Sequence, residues 1–283
     1  MESPLVSTAW LAANLQNDKL ILLDGSMESV LGKEPIVYDS PCFIPGSQKF
    51  DLEAVFLDAS ASQPLAFPTA EIFAEAIKPF GIQSDSVVVI YDNQGIYSAP
   101  RAWWIFRTMG IEQVFVLDGG LPQWLEEKHE VSDSLDAVEP KAHSGVSVVY
   151  NDRQVCSCDQ LLAQLNNPDV AILDARGKAR FLGEVPEPRP GVRPGHIPGA
   201  VNLPFGQLLN GHKFKTKAEL QPLFADLISN PDQKLVFSCG SGITACIALL
   251  AAVVSGAVAS YSNLALYDGS WAEWGSNPGL PIE

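Results

Sequence analysis

Short, continuous apolar runs recur along the chain at Val87–Tyr91, Val114–Leu117, Ala171–Leu173 and Leu235–Phe237. Runs without polar alternation predict central strands of a parallel sheet, covered on both faces. Between them lie stretches of helical spacing that start at Pro or Thr, Pro68–Phe80 and Thr216–Ile228. Strands alternating with helices predict an α/β fold of βαβ units with mainly parallel sheets flanked by helices. Glu126–Ser147 is polar, carries Pro140 and Gly145, and has no apolar period. It reads as a linker, with a boundary near residue 140.

The pattern repeats. Ile21-Leu22-Leu23-Asp24 returns as Ala171-Ile172-Leu173-Asp174, 150 residues on, and Ile44-Pro45-Gly46-Ser47 as Ile197-Pro198-Gly199-Ala200, 153 on. Val88–Asp92 aligns with Leu235–Cys239, 147 on, and Val116–Gly120 with Ala265–Gly269, 149 or 150 on. Four matches at a nearly constant offset predict a duplicated α/β unit. The expected domains are 1–140, with the linker at its end, and 141–283.

Composition narrows the partners. Of 283 residues, 47% are apolar and 18% charged, which suits a globular chain of about two domains. The net charge of −15 argues against nucleic acid. Residues 1–140 carry −14 of it and residues 141–283 only −1, so the second half is the expected home of an anionic substrate. No apolar run reaches the ~18 residues of a membrane helix, and the start lacks signal-peptide character. Five cysteines, an odd number, predict reduced thiols in the cytoplasm. Cys156-Ser157-Cys158 has no second ligand pair, so no metal is expected.

The chemistry concentrates in Ser238-Cys239-Gly240-Ser241-Gly242-Ile243-Thr244-Ala245. A buried strand ends at Ser238 and an apolar helix begins near Thr244. Cys239 is therefore expected at the carboxyl end of a strand, where α/β folds place their sites. The amides of Gly240–Thr244 and the helix N-terminus would both favour a thiolate, the nucleophilic form. Gly240 and Gly242 allow the φ values of a tight cradle. A buried structural cysteine fits the same pattern. The equivalent loop of the first half, Tyr91-Asp92-Asn93-Gln94-Gly95, has Asp92 in place of the cysteine, so two equal sites are not expected.

These residues resemble the two-domain rhodanese superfamily, in particular its 3-mercaptopyruvate sulfurtransferases. The likeness rests on the loop Cys239–Thr244, on Ser98-Ala99-Pro100-Arg101-Ala102-Trp103-Trp104, on Gly195–Asn202 and on Tyr267–Trp274. It implies two tandem rhodanese-like domains with only the second catalytic. It also implies a persulfide carried on Cys239, with Gly240, Ser241, Gly242, Ile243 and Thr244 forming the active loop. Thiosulfate-using relatives typically carry cations in that loop, and here it is neutral. Related phosphatases end theirs with Arg where this chain has Ala245.

Arg176–Arg193 is basic and stiffened by Pro186, Pro188, Pro190 and Pro194. Its residues alone fit either a carboxylate clamp or a solvated loop. The resemblance implies that Arg180 and Arg189 bind substrate, that Arg176 is structural, and that His196 belongs to a structural turn. Arg193 fits either role. Cys246, two helical turns past Cys239, is expected to be buried. The family's relay of Ser, His and Asp is incomplete here: Ser241 and Asp51 remain, but Ser62–Pro68 has no His.

The expected reaction moves sulfur from 3-mercaptopyruvate through Cys239 to a thiol such as thioredoxin, or to cyanide, without metal or organic cofactor. Two alternatives stay open: a thiosulfate sulfurtransferase, and a non-catalytic rhodanese-like binding or redox-sensing module.

Overall fold

A computed structural model describes residues 3–137, 145–228, 230, 232–258 and 260–283. The expected boundary near residue 140 lies outside the described residues. In chain order the first half contains β1 (Leu5–Val6), α1 (Thr8–Asn14), β2 (Leu20–Asp24), β3 (Ser47–Lys49), α2 (Ala70–Ala76), β4 (Val87–Tyr91), α3 (Ala99–Thr108), β5 (Val114–Leu117) and α4 (Gly120–Glu126). The second half contains β6 (Val155–Cys156), α5 (Cys158–Leu162), β7 (Val170–Asp174), α6 (Lys178–Phe181), β8 (Val201–Asn202), the hairpin β9 (Leu209–Asn210) and β10 (Lys213–Phe214), α7 (Lys217–Ala225), β11 (Lys234–Ser238), α8 (Ala245–Ser255), β12 (Leu264–Tyr267) and α9 (Ser270–Trp274).

Each half builds a five-stranded parallel sheet, in the order β1-β5-β4-β2-β3 and β6-β12-β11-β7-β8. The two orders coincide strand for strand, which is the duplication the repeats predict. The register coincides too, since Asp24 pairs with Tyr91 and Asp174 pairs with Ser238. All four predicted strands form, each within a residue of the apolar run. The central strands β4 and β11 are continuous apolar runs because helices cover both faces.

The structure differs from the sequence reading in three places, the first being that the helix expected over Thr216–Ile228 ends at Ala225. The helix expected over Pro68–Phe80 is a shorter α2 followed by a 3-10 turn at Lys78–Phe80, because Gly81 takes a left-handed conformation and ends it. The linker begins later than Glu126. The Trp124 indole donates to the Glu130 carbonyl at 2.7 Å, and Ser132 and Phe43 bond each other at 2.9 Å, so this stretch is tied to the first domain.

The halves share one hydrophobic core. Trp103, Trp104 and Phe106 of α3 belong to the same buried cluster as Cys246, Ile247 and Leu250 of α8, and the two helices pack together. Burying this apolar surface contributes about 25 cal/mol per Å². The packing brings the loop after each central strand close to the other domain. No helix among the described residues is long and apolar enough to cross a membrane.

Candidate active site

Cys239 follows β11 and is only 1% exposed. Two contacts fix the backbone around it. The carbonyls of Cys239 and Gly240 accept the N–H groups of Trp271 and Ala272 on α9, both at 2.9 Å. In a trans peptide the following N–H points the opposite way. The amides of Gly240 and Ser241 therefore face away from α9. Among the described residues, the amides from Gly240 to Thr244 make no hydrogen bond. Gly242 has φ +79°, a left-handed conformation that favours glycine. The Cys239 amide itself donates to Ser270 Oγ at 3.2 Å.

The first domain shows what such a loop binds. Asp92 stands where Cys239 stands, one residue past the central strand, and is fully buried. Its carboxylate accepts N–H groups from Gln94, Tyr97, Ser98 and Ala99, at 2.8–2.9 Å. Asp92 thus supplies an acceptor of its own to the cradle made by its loop, although burial pushes its carboxyl up. The matching loop of the second domain holds a thiol at that point.

A small, open pocket is lined by Cys239, Gly240, Ser241, Ile243 and Thr244. Arg180 and Arg189 line it, as do Leu31 and Tyr97 of the first domain. The structure thus brings the loop and both arginines together. Arg180 Nε donates to Glu187 Oε1 at 3.2 Å and its Nη2 to Oε2, so both carboxylate oxygens orient the guanidinium. A Cβ on Gly240 would lie 3.1 Å from Arg180 Nη2, which places that charge directly over the loop. Arg189 is half-buried and, among the described residues, makes no ion pair.

The other residues singled out in the sequence take scaffolding positions. Arg176 is buried, grips Asp174, donates to Glu187 at 2.9 Å and lies over the Trp271 ring. Arg193 donates to the carbonyls of Gly275, Trp274, Asn277 and Leu280. His196 stacks on Phe181 at 3.8 Å and its Nδ1 lies 2.9 Å from the Phe181 carbonyl. Cys246 is buried, donates to the Gly242 carbonyl at 3.3 Å, and burial pushes its thiol up to about 12. Asp51 Oδ1 accepts the amides of Glu53 and Ala54 in a local turn, and Asp51 does not line the pocket.

Sequence reasoning missed Glu187, Leu31 and Tyr97. Glu187, a glutamate within the basic segment Arg176–Arg193, is the buried link between Arg176 and Arg180. Leu31 and Tyr97 belong to the half that carries no nucleophile. The Leu31 amide donates to the Tyr97 hydroxyl at 2.7 Å, and burial pushes that phenol up to about 12. No local motif marks them, because only the docking of the domains brings them to the pocket.

The profile of the Rhodanese-like domain matches residues 7–127 and 157–277. The chain belongs to the rhodanese family. Within it, the 3-mercaptopyruvate sulfurtransferase of Escherichia coli K12 is 37% identical over 281 residues, covering 98% of this chain and 97% of that protein. The mitochondrial thiosulfate/3-mercaptopyruvate sulfurtransferase 1 of Arabidopsis thaliana is also 37% identical, over 99% of this chain and 78% of its own length. The crystal structure of SseA from Escherichia coli, described as a 3-mercaptopyruvate sulfotransferase of rhodanese fold, superposes with a TM-score of 0.79 at 32% identity. It covers 95% of this chain and 99% of that one. The two rhodanese domains of this chain thus match relatives along almost their whole length.

Proposed function

We propose that the chain transfers sulfur from 3-mercaptopyruvate through a persulfide on Cys239. The observation that carries this reading is the pair of matched cradles, one binding the Asp92 carboxylate and the other presenting Cys239. Residues 141–283 form the catalytic domain in this reading, and residues 1–140 a domain without a nucleophile that walls the pocket.

The Cys239 thiolate attacks the thiol sulfur of the donor. An S–S bond forms and the C–S bond breaks, its electron pair leaving on the enolate of pyruvate, which then takes a proton. Arg189 and Arg180 hold the donor carboxylate and offset the enolate charge. The loop amides stabilise the anionic sulfur without having to reorganise. The outer sulfur then passes to a thiol acceptor such as thioredoxin, or to cyanide as thiocyanate, and Cys239 is restored. In this reading Ser241, at the pocket wall, hydrogen-bonds the donor rather than joining a relay.

The full-length relatives that carry the name 3-mercaptopyruvate sulfurtransferase support the donor. The odd number of cysteines, five, suits a cytoplasmic setting. Steady-state kinetics with 3-mercaptopyruvate and with thiosulfate test the reading. Ping-pong kinetics and pyruvate release at a higher kcat/KM with the first donor support it. A higher kcat/KM with thiosulfate would replace it by the thiosulfate alternative, and turnover of neither donor by the non-catalytic one.

A further inference from the structure

The active loop is backed by a charge from the other domain. Arg101, on α3 of the first domain, is 1% exposed. Its Nη2 donates to Asp268 Oδ1 of the second domain at 2.7 Å and to the Leu65 carbonyl at 2.9 Å. The same Asp268 accepts the Phe67 amide at 2.6 Å, and the Arg101 guanidinium lies 4.8 Å over the Phe67 ring. One end of Arg101 is thus fixed by groups of both domains.

The other end is not. Arg101 Nη1 is buried and has no nitrogen or oxygen partner among the described residues, and the guanidinium lies against the Cys246 thiol instead. It points at the active loop: a Cβ on Gly242 would lie 3.0 Å from Nη1. Gly242 therefore has two reasons to be glycine, its left-handed φ and the guanidinium that fills the side-chain space. The charge of Arg101 interacts with Cys246, which bonds the Gly242 carbonyl, and with Cys239. Leaving a buried donor unpaired costs about 1–3 kcal/mol. Proteins keep such groups where a function uses them. Here the buried cation stands behind the active loop, and catalysis creates negative charge on Cys239.

We infer that Arg101 is a positioning residue for sulfur transfer, a cation supplied by the non-catalytic domain that sets the Gly242 turn and offsets the anionic sulfur from behind the loop. The inference rests on Cys239 being the sulfur carrier. It makes reactivity depend on domain docking, since the Arg101–Asp268 pair spans the interface. It also gives the first domain a part in the chemistry beyond walling the pocket. Arg101 does not line the pocket, so its loss should act on kcat rather than KM.

Arg101→Met and Arg101→Lys are compared with the wild type in 3-mercaptopyruvate kinetics, with folding checked by circular dichroism. Arg101→Met should lower kcat about tenfold or more with KM within about twofold, and Arg101→Lys should recover part of the loss because it keeps the charge. A purely structural role predicts no such split and no rescue by charge. A second measurement needs no variant that must fold. In wild-type protein labelled with 15N-arginine, a buried guanidinium signal should move when 3-mercaptopyruvate converts Cys239 to its persulfide, as followed by mass spectrometry. Persulfide formation with unmoved guanidinium signals, or a folded Arg101→Met of unchanged kcat, would overturn the role of Arg101 and leave Cys239 as the carrier. Absence of the persulfide itself would overturn both.

Discussion

Asp92 and Cys239 stand at the same point of two sheets of the same strand order, each one residue beyond a central strand that pairs in the same register with Asp24 or Asp174. One fills its loop with a carboxylate and the other presents a thiol. The duplication thus contains its own control for what the loop does.

That relationship predicts the effect of removing the Asp92 carboxyl. Asp92→Ala leaves four buried amides without their acceptor. The loss should be about 3 kcal/mol or more, since each unsatisfied buried donor costs about 1–3 kcal/mol and water recovers only part. Urea unfolding at constant m-value measures it. A change under about 0.5 kcal/mol would mean that the carboxylate does not hold that loop together.

The two arginines differ in how they are held, and their variants should differ with them. Arg189 has no ion pair among the described residues, so Arg189→Ala should raise KM and lower kcat without disturbing the loop. Arg180 is oriented by Glu187 over Gly240, so Arg180→Ala should lower kcat as well. Each loses a charge-assisted contact of roughly 1.5–3 kcal/mol, on the order of ten- to a hundredfold in kcat/KM. Unchanged kcat/KM in both variants would remove the carboxylate clamp.

Donor preference can be redirected at only one of two loop positions. A side chain at Gly240 would meet Arg180, whereas Ser241 is half-buried at the pocket wall. Ser241→Lys therefore adds a cation where the second charge of thiosulfate would lie. The ratio of kcat/KM for thiosulfate to that for 3-mercaptopyruvate should rise about tenfold, equal to ~1.4 kcal/mol, and less at high salt. A ratio that stays constant would show that loop charge does not set the donor.

Cys246 gives a pH prediction. Its thiol is pushed by burial from 9.0 to about 12. Between those values the unfolded chain binds fewer protons than the folded one, so this group makes stability fall as pH rises. Cys246→Ser keeps a donor for the Gly242 carbonyl and does not titrate there. Denaturant midpoints of the variant should fall less steeply above pH 9.0 than those of the wild type, with sulfur transfer retained at neutral pH. Equal slopes, or lost activity in a folded variant, would give Cys246 a different role.

Much of this was legible in the sequence because it is local. The apolar runs, the four repeats and Cys239-Gly240-Ser241-Gly242 each lie within a few residues, and strand identity, duplication and the nucleophile's loop follow from them. What stayed hidden depends on packing between distant segments. Leu31 and Tyr97 reach the pocket only because α3 packs on α8. Arg101 and Asp268 lie 167 residues apart, and although each sits in a segment that carries the family likeness, nothing local marks them as partners. The Glu187 link was hidden differently, because a glutamate among arginines reads the same whether it is solvated or, as here, buried between Arg176 and Arg180.

The central claim is that Cys239 carries the sulfur, and peptide mass spectrometry tests it most directly. The protein is mixed with 3-mercaptopyruvate without acceptor, quenched, alkylated and digested. A persulfide on the Cys239 peptide, at close to one per chain, discharged by a thiol or by cyanide and absent from Cys239→Ser, is the predicted result. A persulfide on Cys42, Cys156, Cys158 or Cys246 instead, or sulfur transfer persisting in folded Cys239→Ser, would contradict it.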